Sequence, residues 1–277
     1  MLNLMKADFY RILRSKGLYI SFGLYWLFTA GVSALLRNNA SYIDESNVPH
    51  IIDLGYLKGI DALLITDIST LIYVFAAALF VLGAADFSSG AIKNTLLSGL
   101  TRTKYFFSKL FTSWILIVIF FIGNLAVSVL SATIFHGFGS IEDSATVVQL
   151  YGQAIPTADF IRDLLCNMGG LLFGAITAAT IGIGLLFITR SGAAMLATYL
   201  GIMFGLNLIV TIVMFIGKDF DFIAGIARID FINQSAILGT FGQSTAENIA
   251  KAFAAVAVWL AASLSAGLLV FRKSEIK

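Results

Sequence analysis

Leu164-Leu-Cys-Asn-Met-Gly-Gly-Leu-Leu-Phe-Gly-Ala-Ile-Thr-Ala-Ala-Thr-Ile-Gly-Ile-Gly-Leu-Leu-Phe-Ile-Thr189 runs without a charged residue, and only Arg190 and Ser191 separate it from a second uncharged run, Gly192–Gly217. At 1.5 Å of rise per residue, either run is long enough to cross about 30 Å of hydrocarbon as a helix. Four more runs of comparable length lie elsewhere, at Gly17–Leu36, Ile68–Ala85, Phe111–Phe135 and Ala252–Phe271. The expectation is an all-α integral membrane protein with six transmembrane helices, forming a single transmembrane domain over residues 1–277.

Composition agrees. The 277 residues are 58% hydrophobic and 12% charged, where soluble domains carry about 25% charged residues. Mean hydropathy is +0.91. A net charge of +2 without a clustered basic stripe gives no reason to expect nucleic acid as a partner. The one cysteine, Cys166, excludes an internal disulfide and reads best as a small buried apolar residue.

Charge placement orients the chain. Segments 1–16, 86–110, 190–191 and 272–277 hold 12 of the 18 basic residues but only 3 of the 16 acids. By the positive-inside rule these segments face the cytoplasm, so both termini are cytoplasmic in a multi-pass plasma-membrane protein. Residues 1–16 mix Leu4, Phe9, Ile12 and Leu13 with Lys6, Arg11, Arg14 and Lys16, the composition of an interfacial helix resting on membrane lipid. The apolar run after it is too long for a signal-peptide core. On the other side, 37–67 and 136–163 are polar and acidic. Residues 218–251 hold two short apolar stretches, Phe222–Ala227 and Phe231–Phe241, which predict a re-entrant or interfacial hairpin before the sixth span.

Small residues recur every four positions in the fourth span, at Gly170, Gly174, Ala178 and Gly182, and in the fifth at Gly201 and Gly205. Such a face lets another helix backbone approach closely, and packing within the bundle is its expected use. The spans hold neutral polar groups such as Asn124, Asn167 and Asn207, but no carboxylate or basic group of the kind that ion-coupled carriers keep there. There is no G-x-x-x-x-G-K-[ST] phosphate-binding loop, no H-E-x-x-H, and His50 and His136 lie far apart. These patterns give no sign of an enzyme, a metal site or a bound cofactor.

One predicted cytoplasmic loop carries most of the functional signal: Asp86-Phe-Ser-Ser-Gly-Ala-Ile-Lys-Asn-Thr-Leu-Leu-Ser-Gly-Leu-Thr-Arg-Thr-Lys-Tyr-Phe-Phe-Ser-Lys109. Ser88 or Ser89 can cap a short helix from about Gly90 to Ser98, and Gly99 can end it. Ile92, Leu96 and Leu97 give that helix an apolar side. Thr101 can cap a second short helix that brings Lys104 and Lys109 to the membrane surface. The loop is thus a compact elbow on the cytoplasmic face.

This loop resembles the coupling-helix region of ABC-2-type ABC transporter permeases. Asp86, Gly90, Leu96, Leu97, Ser98, Arg102 and Lys109 occupy places where that family has an acid, a glycine, Leu-Leu-Ser, an arginine and a later lysine. Lys6–Lys16 is similar to its basic interfacial helix, and Lys6, Phe9, Arg11 and Arg14 carry that likeness. The resemblance implies a permease half-transporter that exports an amphipathic or hydrophobic substrate such as an antimicrobial peptide. It would pair with a second permease chain, and cytoplasmic ABC ATPase subunits would bind the ATP and Mg. Asp86, Ser89, Gly90, Leu96, Leu97, Gly99 and Arg102 would then be the ATPase-docking residues. The competing expectation is a membrane sensing subunit that signals through an ATPase without transport.

Overall fold

The computed structural model describes residues 2–35, 37–43, 49–56, 58–64, 68–88, 90–141, 157–216, 230–232, 234 and 245–273. Helix α1 (Leu2–Leu13) and α2 (Lys16–Leu35) are followed by strands β1 (Arg37–Ile43) and β2 (Pro49–Tyr56). Helices α3 (Gly59–Leu64), α4 (Ile68–Ser88), α5 (Ala91–Leu97) and α6 (Arg102–His136) come next. Then follow α7 (Thr157–Thr189), α8 (Gly192–Ile216) and α9 (Ala246–Lys273). Five of these, α2, α6, α7, α8 and α9, are long and apolar enough to cross a membrane. α4 has 21 residues, with an apolar stretch over Leu71–Gly83.

Two features depart from the sequence expectation. The polar, acidic segment after the first span, for which the sequence predicts no strand, holds an antiparallel ribbon of β1 and β2, in which Ala40 pairs with Ile52 and Tyr42 with His50. Tyr42, Ile43, Ile51 and Ile52 are residue types that favour strands, and Pro49 takes the strand's first position, where no ladder donor is lost. The second short helix expected after Thr101 does not exist separately. Thr101 does cap a helix, its hydroxyl accepting from the Lys104 amide at 3.4 Å. That helix is α6, which runs 35 residues unbroken to His136 because no proline or glycine stops it before the third span.

α7 sits at the centre. Its apolar window is 72% buried, against 17–39% for the other four spans, so the remaining helices pack around it. The α7–α9 contact is backbone to backbone. A β-carbon on Gly184 would stand 2.9 Å from the Ser263 carbonyl oxygen, and one on Gly267 would stand 2.9 Å from the Gly184 Cα. Gly182 lies under Leu79 of α4 and beside Tyr199 of α8. Gly170, Gly174 and Ala178 are buried on the same helix. Gly201 and Gly205 differ, since no atom of the described residues lies within 4 Å of where their β-carbons would stand.

Neutral polar side chains hold the helices together, as expected where hydrocarbon offers no partner. Thr29 donates to Asn124 Oδ1 at 3.2 Å, and Asn207 donates to the Tyr73 hydroxyl at 2.7 Å. Trp114 Nε1 donates to Thr180 at 2.9 Å. The α7–α8 joint is Arg190 and Ser191, with Arg190 at a φ of 54° closing the helix through its amide to the Leu186 carbonyl. Most of the predicted hairpin before α9 lies outside the described residues. The described part is buried, with the Asp230 carboxylate accepting from the Ile232 amide at 3.0 Å. Phe231 packs edge-on to Trp259 at 5.7 Å.

Candidate functional site

The elbow keeps its outline but changes its detail. α5 spans Ala91–Leu97, and no side chain caps it. Ser88 ends α4 instead, Ser89 lies outside the described residues, and Gly90 turns the chain at a φ of 67°. Its carbonyl accepts from the Lys93 amide at 3.0 Å. Gly99, at a φ of 92°, turns the chain out of the helix, its amide reaching the Leu96 carbonyl at 3.1 Å. Both positions take a left-handed conformation that side chains with a β-carbon disfavour. Ile92 is buried in the main core and Leu96 packs partly against it. Leu97 is 76% exposed, with Lys93 and Asn94 exposed beside it.

Beneath the elbow lies a buried charged junction joining three elements. α1 contributes Asp8 and Arg11, one turn apart; the end of α4 contributes Asp86; α6 contributes Tyr105 and Lys109, again one turn apart. Arg11 Nη1 donates to Asp86 Oδ1. Its Nη2 donates to the Leu82 carbonyl at 2.7 Å and to Asp8 Oδ1 at 3.1 Å. Lys109 Nζ donates to Asp8 Oδ1 at 2.5 Å and meets Asp86 Oδ2 as well. The Tyr105 hydroxyl donates to Asp86 Oδ2 at 2.6 Å. Two carboxylates face two cations, so the junction is neutral overall.

The two acids differ in how well they are compensated. Burial works against the Asp86 anion, but the hydrogen bond from Arg11, the charge of Lys109 and the Tyr105 hydroxyl hold its carboxyl below the usual range. Burial dominates at Asp8 and raises its pKa in spite of Lys109 and Arg11. The geometry shows why: Asp8 Oδ2 is buried and accepts no hydrogen bond among the described residues. Arg11 loses solvation too, yet Asp86 and Asp8 hold it charged above its ordinary value.

Arg102 does not face outward either. Its Nη1 donates to the carbonyls of Phe271 and Arg272 at 3.1 and 2.9 Å, so it caps the C-terminus of α9. Phe271 itself is buried among Phe187 and Tyr105, at ring distances of 4.5 and 6.2 Å. The start of α6 is therefore bound to α1, α4 and α9 at once.

Of the residues singled out in the sequence, Arg11 and Asp86 meet in the junction, Arg102 caps α9, and Gly90 and Gly99 shape the elbow. Leu97 stands out from it and Leu96 half withdraws. Lys6 and Arg14 are exposed on α1, Arg14 lying 4.4 Å over the Tyr10 ring, while Phe9 packs inward. Lys109, expected at the membrane surface, is buried. Asp8 and Tyr105 were not singled out. Asp8 had a signal in its scarcity, as the sole acid of a strongly basic segment that needs a cation, whereas Tyr105 had none.

A separate apolar groove of about 240 Å³ lies between α7 and α9, lined by Leu165, Cys166 and Phe173 on one side and Ile249, Phe253 and Val256 on the other. It is smaller than the usual 300–1,000 Å³ of ligand sites and has no convergent polar groups. No group of three or more His, Cys, Asp or Glu that could hold a metal ion occurs among the described residues. Comparison with protein-family models, with curated proteins and with solved structures finds no match to this chain.

Proposed function

We propose that this chain is the permease subunit of an ATP-driven transporter of the ABC-2 type, with the elbow at α5 as its docking point for a cytoplasmic ATPase. In this reading α4 completes a set of six spans, both termini lie on the elbow's side, and two permease chains pair around a pathway. The hairpin before α9 enters the bundle from the opposite face. The ATPase binds the ATP and Mg, and the substrate is an amphipathic or hydrophobic molecule, such as an antimicrobial peptide, that is exported.

The observation that carries this reading is an exposed elbow seated on a rigid base. Force applied to α5 reaches α4 through Asp86, α1 through Arg11 and Asp8, α6 through Tyr105 and Lys109, and α9 through Arg102. A loop resting on lipid has no need for such a base, whereas a lever does. The uncharged spans offer no ion-coupled alternative as a source of energy.

The test is a detergent pull-down from native membrane with a tag at Lys277. The expected result is a stoichiometric soluble ATPase that is lost in Leu97→Asp while the chain stays folded. Recovery of the folded chain without an ATPase overturns the proposal. Recovery of an ATPase whose complex accumulates no substrate in vesicles favours the sensing role.

A further inference from the structure

The lipid belt can be read from α6. Its exposed large apolar residues run from Ile115 through Ile119, Ile122, Leu130 and Ile134 to Phe135. That interval is twenty residues, about 30 Å of helix, which matches the hydrocarbon thickness. The remainder of α6, back to Arg102, overhangs at one end.

Depths follow from the same rise. Lys109, where α1 attaches through Asp8, stands about 9 Å beyond Ile115, near the outer limit of a headgroup layer some 5–8 Å thick. That is the level of an interfacial helix, and Tyr10 and Leu13 of α1 are exposed there. α5 hangs lower. It is strung between Asp86, which meets both Tyr105 and Lys109, and Arg102, so it lies roughly 10–20 Å beyond the belt, with Leu97 toward the Arg102 end of the sequence. The headgroups end short of its far part, where Leu97, 76% exposed, meets water.

Leu97, seated on this rigid base, is a large apolar side chain with no cover among the described residues. Its sequence neighbours carry one sign of charge. Residues 87–110 contain no Asp or Glu, Lys93 and Lys104 are exposed, and the carboxylate of Asp86 just before them is buried. Resting on the docking reading above, we infer that the elbow's partner is a soluble protein presenting a small apolar socket for Leu97, rimmed by carboxylates that face Lys93 and Lys104. Leu97 is the anchor. Leu96 and Ile92 are committed to this chain's own core. The lysines supply orientation and encounter rate through charge complementarity.

The experiment places a photo-crosslinking benzoylphenylalanine at position 97 in the full chain in its native membrane, and in a second sample at position 134. Position 134 lies in the belt and reports lipid. Crosslinked residues are mapped by mass spectrometry, and binding of the captured protein is then measured for the Lys93→Glu/Lys104→Glu variant. The expected result is a protein crosslink from position 97 into an apolar patch flanked by Asp or Glu. Binding should weaken about tenfold or more on charge reversal and recover when the partner's acids are changed to lysine. Lipid crosslinks at 97 like those at 134 overturn the inference in favour of a membrane-resting loop. A socket without carboxylates, or binding indifferent to charge reversal, also overturns it but leaves the permease proposal standing. Capture of an acidic-rimmed protein that is not an ATPase does the reverse.

Discussion

Asp8 and Asp86 sit in one neutral junction yet answer to different forces. Asp86 gathers Arg11, Lys109 and Tyr105, so Asp86→Asn leaves the buried Lys109 and the half-buried Arg11 with Asp8 alone and should cost about 2–4 kcal/mol, read as a loss of thermal stability in detergent. Asp8 is less well compensated, and Asp8→Asn should cost clearly less in the same measurement. The pH dependences have opposite signs. Asp86 has a depressed pKa, so its contribution is present above the ordinary carboxylate value and is lost as pH falls through its folded value. Asp8 has a raised pKa, so folding favours its neutral form and stability is gained as pH falls through that raised value. Asp8→Asn should therefore lose stability more steeply than the unaltered protein on acidification through the carboxylate range, measured by melting temperature against pH. Equal slopes would show that Asp8 is not raised. Arg11 and Asp86 were legible in the sequence because each broke a local pattern. Their pairing was not, since 75 residues separate them, and Asp8 and Lys109 are 101 apart.

Among the elements, the five long apolar helices were legible from uninterrupted apolar runs, and the elbow from its two glycines. What local sequence could not show was where one helix stops and the next begins. Thr101 caps a helix whether it is short or long, and only the absence of a breaker beyond it makes α6 continuous. The ribbon was hidden because seven or eight residues of mixed polarity carry little periodic signal. Glycines likewise look alike in sequence but not in the fold. Gly267→Val drives a side chain into the α7 backbone and should destabilise by about 1–3 kcal/mol, detected by thermal unfolding. Gly201→Ala, facing open space in a helix, should be neutral or stabilising by up to ~1 kcal/mol in the same assay. Gly99→Ala should cost about 1 kcal/mol locally, seen as faster hydrogen exchange over residues 91–97 with the global melting temperature almost unchanged.

At the scale of the whole molecule, a central α7 wrapped by more exposed helices suits a bundle in lipid; hydropathy announced the apolar helices but not which of them sits at the centre. Orientation rests on charge counting and has a direct check. With Cys166→Ala as background, Lys104→Cys and Ser140→Cys should react with a membrane-impermeant thiol reagent from opposite sides of a sealed vesicle. Reaction from the same side would refute the topology. The neutrality of the junction has a further consequence. Moving one elementary charge through a potential of 100 mV involves about 2.3 kcal/mol. The junction's two acids and two bases sum to zero, so displacing these four paired groups together performs no net electrical work, whereas Lys6 of α1 and Arg102 and Lys104 of α6 lie outside that balance. The paired groups are therefore silent to a voltage clamp, and any gating current from this base traces to Lys6, Arg102 and Lys104.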